Sequence, residues 1–395
     1  MKTPLLFSLF YLATFLQAGT YGLTFLLPKL FENLGGNEKH VGLMLVITAA
    51  TTIVSVYYSG HITDRIGRMN SLGTSGIIIS VSLLLFGVAE GLGLEIVIAS
   101  ALLGLGWGIF YTIGPVVLSS ITRAEQRVQI FSLNSIFIMA GFGLSPVFAS
   151  VLEANGFTIS HAFHFMSAIC IVSSCLFLFI KNNIESKASP NTAILPSRLT
   201  ISAVTRIFAS RARVPVTMVC LGASVFAGMS NFQTVFADAR NLDYAKFFLS
   251  YTVTVIICRI ILTGFSGGKS PYSVIAILQY TMALSIIVFV FSGSNAVLYI
   301  FVAILFGIGY GASYPILVAM AANDANTDLV PQTLQLFALT YFIGIFGFPL
   351  LAGWIIVELN STILLFSIAV LALIEATMAL KRSIENSRKV KSSSR

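Results

Sequence analysis

Twelve apolar stretches of spanning length limit what this chain can fold into. They cover residues 5–27, 41–59, 72–89, 94–119, 128–152, 159–180, 214–237, 245–264, 272–291, 296–320, 332–357 and 361–380. A helix needs about 20 predominantly apolar residues to cross the hydrocarbon core of a bilayer. Backbone polar groups in hydrocarbon must be paired within the protein, so a stretch of that length crosses as a helix. The expected fold class is therefore an all-α membrane protein with 12 transmembrane helices. Composition agrees: the chain is 56% hydrophobic and 10% charged, whereas soluble domains are about 25% charged. The four cysteines, Cys170, Cys175, Cys220 and Cys258, fall inside apolar stretches. They read as small buried hydrophobes rather than disulfide partners or metal ligands. The first apolar run is of spanning length and lacks a small-residue cleavage site, so no cleavable signal peptide is expected.

The connections are short except for 181–213, which carries Lys181, Lys187, Arg198, Arg206, Arg211 and Arg213 with Pro190 and Pro196. It divides the chain into an N-terminal six-helix bundle (1–180), a basic linker (181–213), a C-terminal six-helix bundle (214–380) and a basic tail (381–395). Within the linker, Leu199 to Phe208 reads as an amphipathic helix lying on the membrane surface. With both termini inside, the inner side holds 18 of the 23 Lys and Arg. The outer loops hold only Lys29, Lys39, Arg240 and Lys246, and Arg259 sits within a span. The positive-inside rule thus places both termini in the cytoplasm. The net charge of +8 lies in loops and tail, which argues against nucleic acid as a partner. One inner loop, 321–331, breaks the pattern with Asp324 and Asp328 and no basic residue.

The halves repeat. Gly104-Leu105-Gly106-Trp107-Gly108 in span 4 recurs as Gly307-Ile308-Gly309-Tyr310-Gly311 in span 10, at an offset of 203. Gly141 and Pro146 recur as Gly344 and Pro349 at the same offset, and Gly60 as Gly264 at 204. Prolines as well as glycines keep the spacing, which indicates a duplicated six-helix unit.

Between spans 2 and 3 lies a charged hairpin, Gly60-His61-Ile62-Thr63-Asp64-Arg65-Ile66-Gly67-Arg68-Met69. Gly60 and Gly67 suit a sharp turn. The hairpin resembles the loop signature of the major facilitator superfamily, roughly G-x-x-x-D-R-x-G-R-[KR]. Gly60, Asp64, Arg65, Gly67 and Arg68 match, and Met69 departs from it at the last basic position. The resemblance implies two pseudo-symmetric six-helix bundles and alternating access around a mid-membrane cavity lined by helices 1, 4, 7 and 10. It also implies a monomer in the lipid bilayer, with Gly60, Asp64, Arg65, Gly67 and Arg68 as a conformational latch favouring the outward-facing state. The second copy, Gly264-Phe265-Ser266-Gly267-Gly268-Lys269, is degenerate, so a charge latch is expected to be stronger on the N-terminal half.

Polar groups within the bilayer are costly and tend to serve function. In span 1, Thr14, Gln17, Tyr21 and Thr24 fall on one helical face. With Gln17 and Tyr21, the candidates for the substrate cavity are Asn134, Asn231, Gln233, Arg259, Tyr310, Tyr314, Gln335 and Tyr341. Interhelical hydrogen bonding uses the same residue types and is the competing reading. Arg259 has three readings: snorkelling to the inner surface, a counter-charge for substrate, or a partner for Glu375. Glu375, near the inner end of span 12, is expected to be structural. Antiporters of the superfamily usually carry an arginine in helix 4. Here that position is near Ser100, no Arg or Lys lies between Arg68 and Arg123, and span 1 has no acid. His161 and His164 start span 6 and read as interfacial packing.

No H-E-x-x-H, no G-x-x-x-x-G-K-[ST] and no paired acids within a span occur, so neither an enzyme, nor an ATP-driven pump, nor a cofactor or metal is expected. The expected function is secondary transport of a small organic solute by alternating access. An anion such as a carboxylate metabolite or a metal-chelating acid fits the lone intramembrane cation. Proton-coupled efflux of amphiphilic drugs is the alternative, and a non-transporting sensor with the same fold is a third reading. Whether protons are coupled stays open.

Overall fold

The computed structural model describes residues 3–122, 126–187, 199–262, 268 and 270–393. Arg123, Pro190, Pro196, Arg198, Gly264-Phe265-Ser266-Gly267 and Lys269 lie outside the described residues. Every regular element among those described is helical. Twelve helices are long and apolar enough to cross a membrane: α1 (Pro4–Asn33), α2 (Glu38–Ile66), α3 (Arg68–Val88), α4 (Leu94–Ser120), α5 (Gln129–Ala154), α6 (Ile159–Glu185), α7 (Arg213–Asn231), α8 (Tyr244–Ile261), α9 (Pro271–Val290), α10 (Ala296–Asn323), α11 (Thr327–Glu358) and α12 (Ser361–Arg388).

Most of the helices outrun the apolar stretches that mark them, because the ends of a spanning helix stand in water and tolerate charge. The charged hairpin shows this best. Asp64 and Arg65 belong to α2 and Arg68 to α3. Only Gly67 lies between them, at φ +83, its N–H bonded to the Thr63 carbonyl at 2.9 Å. A residue with Cβ is strained at that φ. Gly60 lies inside α2 and not at the turn, contrary to the sequence expectation. Met69 is fully buried, which accounts for the departure from the signature: a Lys or Arg there would bury its charge.

Three spans are interrupted. In α1 a 3₁₀ turn at Leu23–Leu26 precedes Pro28. The chain breaks at Phe232, past the end of α7, and resumes as the short helix Gln233–Asp238. In α11 a π-turn at Ile343–Gly347 precedes Pro349. Such turns in helices often mark functional positions.

The two bundles, α1–α6 and α7–α12, repeat in their contacts as well as their sequence. Gly141 of α5 approaches the backbone of Phe15 and Gly19 and the Cβ of Ala18, and Gly344 of α11 approaches Cys220, Ser224 and Ala223 in the same manner. Gly106 of α4 meets the Ser75 carbonyl and Ile79, as Gly309 of α10 meets the Leu278 carbonyl and Met282. Each glycine admits a neighbouring helix at backbone distance. A Cβ on Gly141 would lie 2.6 Å from the Phe15 carbonyl oxygen. Gly141→Leu is therefore expected to destabilise the N-terminal bundle by about 1–3 kcal/mol, seen as a lower yield of monodisperse protein in detergent and a lower melting temperature.

The acidic loop that broke the charge pattern has a structural answer. The short helix Ile201–Ala209 brings Arg206 to Asp328 at 2.7 Å. Arg382 of α12 pairs with Asp324 at 3.3 Å, and the Tyr272 hydroxyl donates to the same carboxylate at 2.7 Å. The two aspartates thus receive the basic linker and the end of α12, and that last helix runs on to Ser393. These ion pairs lie on the C-terminal half, whereas Asp64 makes no salt bridge among the described residues and is exposed. The second copy of the hairpin lies mostly outside the described residues, and the N-terminal half carries its own ion pair, Lys29–Glu153 at 2.8 Å. An exposed carboxylate gains little from pairing in water.

Candidate functional site

The halves meet within the spans through a pair of tyrosines that are themselves repeat-related. Tyr111 of α4 and Tyr314 of α10 stand 203 positions apart, and their hydroxyls lie 3.1 Å from each other. The pseudo-twofold axis therefore passes close to this hydrogen bond. Tyr341 of α11 closes the group, its ring 5.5 Å from that of Tyr314 and 6.3 Å from that of Tyr111. On either side stands an aromatic stack, Tyr21 on Trp107 at 4.6 Å and Phe226 on Tyr310 at 4.5 Å. Trp107 and Tyr310 are repeat partners, so the two stacks form matching walls.

Arg259 enters this group from α8. It is only 5% exposed, and its Nη1 donates to the Ser135 carbonyl of α5 at 2.8 Å, across the boundary between the halves. Its guanidinium acts electrostatically on the hydroxyls of Tyr111, Tyr251, Tyr310 and Tyr314. The third reading of Arg259, a pair with Glu375, is not formed among the described residues. Glu375 is held by Gln279 within the C-terminal bundle.

The side away from the termini is closed. Phe25 of α1 stacks on Phe248 of α8 at 5.6 Å. Lys39 at the start of α2 pairs with Glu358 at the end of α11. Glu153 of α5 takes a bond from Tyr244 of α8 at 2.7 Å and pairs with Lys29 at 2.8 Å. Burial pushes the nearby Asp238 carboxyl above its ordinary range; Lys29 opposes this, and Glu32 and Glu153 add to it. Lys29 thus faces more acids than it can pair with. Toward the termini the site is bordered by two prolines. Pro115, one turn beyond Tyr111 on the same face, is exposed, and so is Pro315 beside Tyr314.

Of the residues singled out from sequence, Tyr21, Arg259, Tyr310, Tyr314 and Tyr341 are brought together here. Gln17 is not. Its Nε2 donates to Ser75 of α3 at 2.8 Å and its Oε1 accepts from Ser173 of α6 at 3.3 Å, inside the N-terminal bundle. Gln233 donates to the Tyr299 hydroxyl at 2.6 Å within the C-terminal bundle, and Asn231 to the Ala227 carbonyl of its own helix at 3.0 Å. These three make interhelical or local bonds, the competing reading. Asn134 is buried on α5 beside Ser135, and Gln335 is half-buried on α11; Oδ1 and Oε1 respectively have no protein partner. Of the latch residues, Gly67 forms the turn, Asp64 and Arg65 are exposed, and Arg68 and Gly60 are half-buried. Sequence reasoning missed Tyr111, Trp107 and Tyr251. The signal for Tyr111 was present, since the repeat offset applied to Tyr314 lands on it.

Comparison with known proteins agrees with this architecture. Residues 9–349 match the family model described as the Major Facilitator Superfamily. An uncharacterized transporter of Buchnera aphidicola subsp. Schizaphis graminum is 26% identical over 77% of this chain and 74% of its own length. A probable 4-methylmuconolactone transporter of Cupriavidus pinatubonensis is 26% identical over 33% of this chain. The match spans only 30% of that relative's length. Among solved structures, the human organic anion transporter MFSD10 (TETRAN) superposes with a TM-score of 0.68 at 12% identity, covering 96% of this chain and 100% of that one. Twelve spanning helices, a duplicated bundle and a family match over most of the sequence lead to one assignment: the chain is a multi-pass membrane protein that belongs to the major facilitator superfamily of transporters.

Proposed function

We propose that this protein moves a small organic anion, such as a carboxylate metabolite or a metal-chelating acid, across a bacterial inner membrane by alternating access. Both termini face the cytoplasm in this reading, and the protein works as a monomer. One observation carries it: a buried guanidinium stands at the boundary of the halves among tyrosine hydroxyls, where Arg259 reaches Ser135. A carboxylate takes two parallel bonds from a guanidinium, and tyrosine hydroxyls donate to its remaining lone pairs. The closed distal side, with Phe25 stacked on Phe248 and Lys39 paired with Glu358, supports an inward-facing conformation. The test is counterflow in proteoliposomes with a panel of organic acids, sugars and cationic dyes, with and without a pH gradient. Saturable exchange of an acid supports the reading, and exchange restricted to dyes replaces it.

Efflux of amphiphilic compounds is the second reading. The Tyr21–Trp107 and Phe226–Tyr310 walls favour it, because flat aromatic surfaces accept apolar ligands without directional bonds. A non-transporting sensor would bind ligand and show no counterflow at all.

Asp64 then belongs to the other half of the cycle. Its exposure here fits a latch that closes when the terminal side closes. Asp64→Asn is expected to slow turnover by up to about fivefold, in keeping with about 1 kcal/mol for an exposed ion pair, with expression unchanged. Equal rates would remove the latch from the mechanism.

A further inference from the structure

The repeat makes an internal control for one group that nothing above uses. In the N-terminal bundle, the place where α1, α3 and α6 meet is filled by neutral polar groups. Gln17 bonds Ser75 and Ser173, and Gly76 leaves room for Ser174. The matched contacts of Gly141 with Ala18 and of Gly344 with Ala223 set an offset of 205 between α1 and α7, which carries Gln17 to Gly222, and the offset of 203 carries Gly76 to Gln279. In the C-terminal bundle this same place, between α7, α9 and α12, holds a carboxyl. Glu375 enters from α12 where Ser173 and Ser174 enter from α6. Gln279 Nε2 donates to its Oε1 at 2.8 Å. Gly222 keeps the space open: a Cβ there would lie 3.0 and 3.1 Å from the two carboxyl oxygens. The N-terminal copy shows that neutral groups suffice to hold this junction, so an acid is not needed for packing.

Glu375 is 0% exposed, and its Oε2 has no protein partner. The small cavity beside it is lined by the Gln279 amide and the hydroxyls of Tyr310, Ser313, Tyr314 and Tyr341, with no other charged side chain in that lining. A carboxylate ion is not tolerated in such surroundings, whereas the neutral acid is. Beside it lies a cavity of about 10 Å³, close to the room a single water needs. The three tyrosines that line this cavity also line the central site, so a single water there would link the carboxyl to the place where the halves meet.

We propose that Glu375 is the proton site of this transporter, exchanging its proton with the central cavity through the water-sized space beside Tyr310, Tyr314 and Tyr341. The proposal rests on the transporter reading for its purpose. Its test needs no substrate, so the two can fail separately. The probe is the proton itself: infrared difference spectra of the purified protein in nanodiscs, titrated from about pH 5 to about pH 9, the range in which buried glutamates are known to ionise. The expected result is a protonated-carboxyl component that falls as pH rises in wild type and is missing from Glu375→Gln at unchanged melting temperature, any Asp238 component being common to both and cancelling in their difference. Should that variant misfold, the triple substitution Gly222→Gln, Gln279→Gly and Glu375→Ser rebuilds the neutral N-terminal arrangement and should lose the same component. Glu375→Asp should shift it. A wild-type spectrum with no titrating carboxyl band, or one that Glu375→Gln leaves unchanged, overturns the proposal. If the band titrates as stated while counterflow is absent for every solute, the proton site stands and the transport reading falls.

Discussion

Arg259→Gln is expected to cut saturable counterflow of an acidic solute by about one to two orders of magnitude while leaving the protein folded and monodisperse. The charge sits at the boundary of the two halves, 5% exposed, and donates to a backbone carbonyl on the opposite half. A hydrogen bond to a charged partner contributes about 1.5–3 kcal/mol, so losing the fork should lower kcat/KM by about 10- to 150-fold. Arg259→Lys keeps the charge but not the planar pair of donors, and should restore only part of the rate. Uptake of a neutral solute or a cationic dye should change little in either variant. A Gln variant that exchanges the acid at the wild-type rate would sink the anion reading and leave Arg259 as a tie between α5 and α8.

Much of the fold is legible in the sequence because the bilayer simplifies it. Apolar length alone finds the twelve spans, and charge in the connections accounts for most of the rest. The ends are harder. α2 continues through Asp64 and Arg65 to Ile66, because helical propensity and not hydropathy decides where a helix stops in water. The site is legible only in part, and for a specific reason. Each bundle has an inner face toward its own helices and another toward the opposite bundle, and both accept polar groups. Gln17 and Tyr21 lie one turn apart on α1, yet Gln17 turns to Ser75 within its bundle and Tyr21 to Trp107 and Phe346 at the centre. Periodicity cannot separate those two faces. The repeat can do better, since a residue on the pseudo-axis meets its own equivalent. Tyr111 and Tyr314 satisfy that condition, and glycine positions alone had already given the offset.

Gly353→Leu, or Gly42→Leu, is expected to hold the transporter open on the distal side. These two glycines differ from those inside the bundles in what they touch. Gly42 of α2 lies against the backbone of α11, where a Cβ would stand 2.6 Å from both the Leu350 Cα and the Pro349 carbonyl oxygen. A Cβ on Gly353 would overlap the Glu38 carbonyl at the start of α2. Both contacts join one half to the other, next to the Lys39–Glu358 pair. Overlap with backbone cannot be relieved by turning a side chain, so the leucine variants exclude the conformation described here and leave each bundle's own packing intact. If the added side chain costs this state about 3 kcal/mol, at the upper end for overpacking, a cycle that must pass through it slows by roughly two orders of magnitude. Phe25 is buried under Phe248 in the closed distal side, so a Phe25→Cys substitution then reports the position of the equilibrium. The introduced thiol should react with a membrane-impermeant maleimide applied from that side in the leucine variants and resist it in the glycine background. Lys39→Glu should move reactivity in the same direction to a smaller degree, because an exposed ion pair contributes less than steric exclusion. A leucine variant that transports normally, with the introduced thiol still protected, would show that α2 and α11 do not separate at this level. Alternating access would then need a hinge elsewhere than between the two bundles.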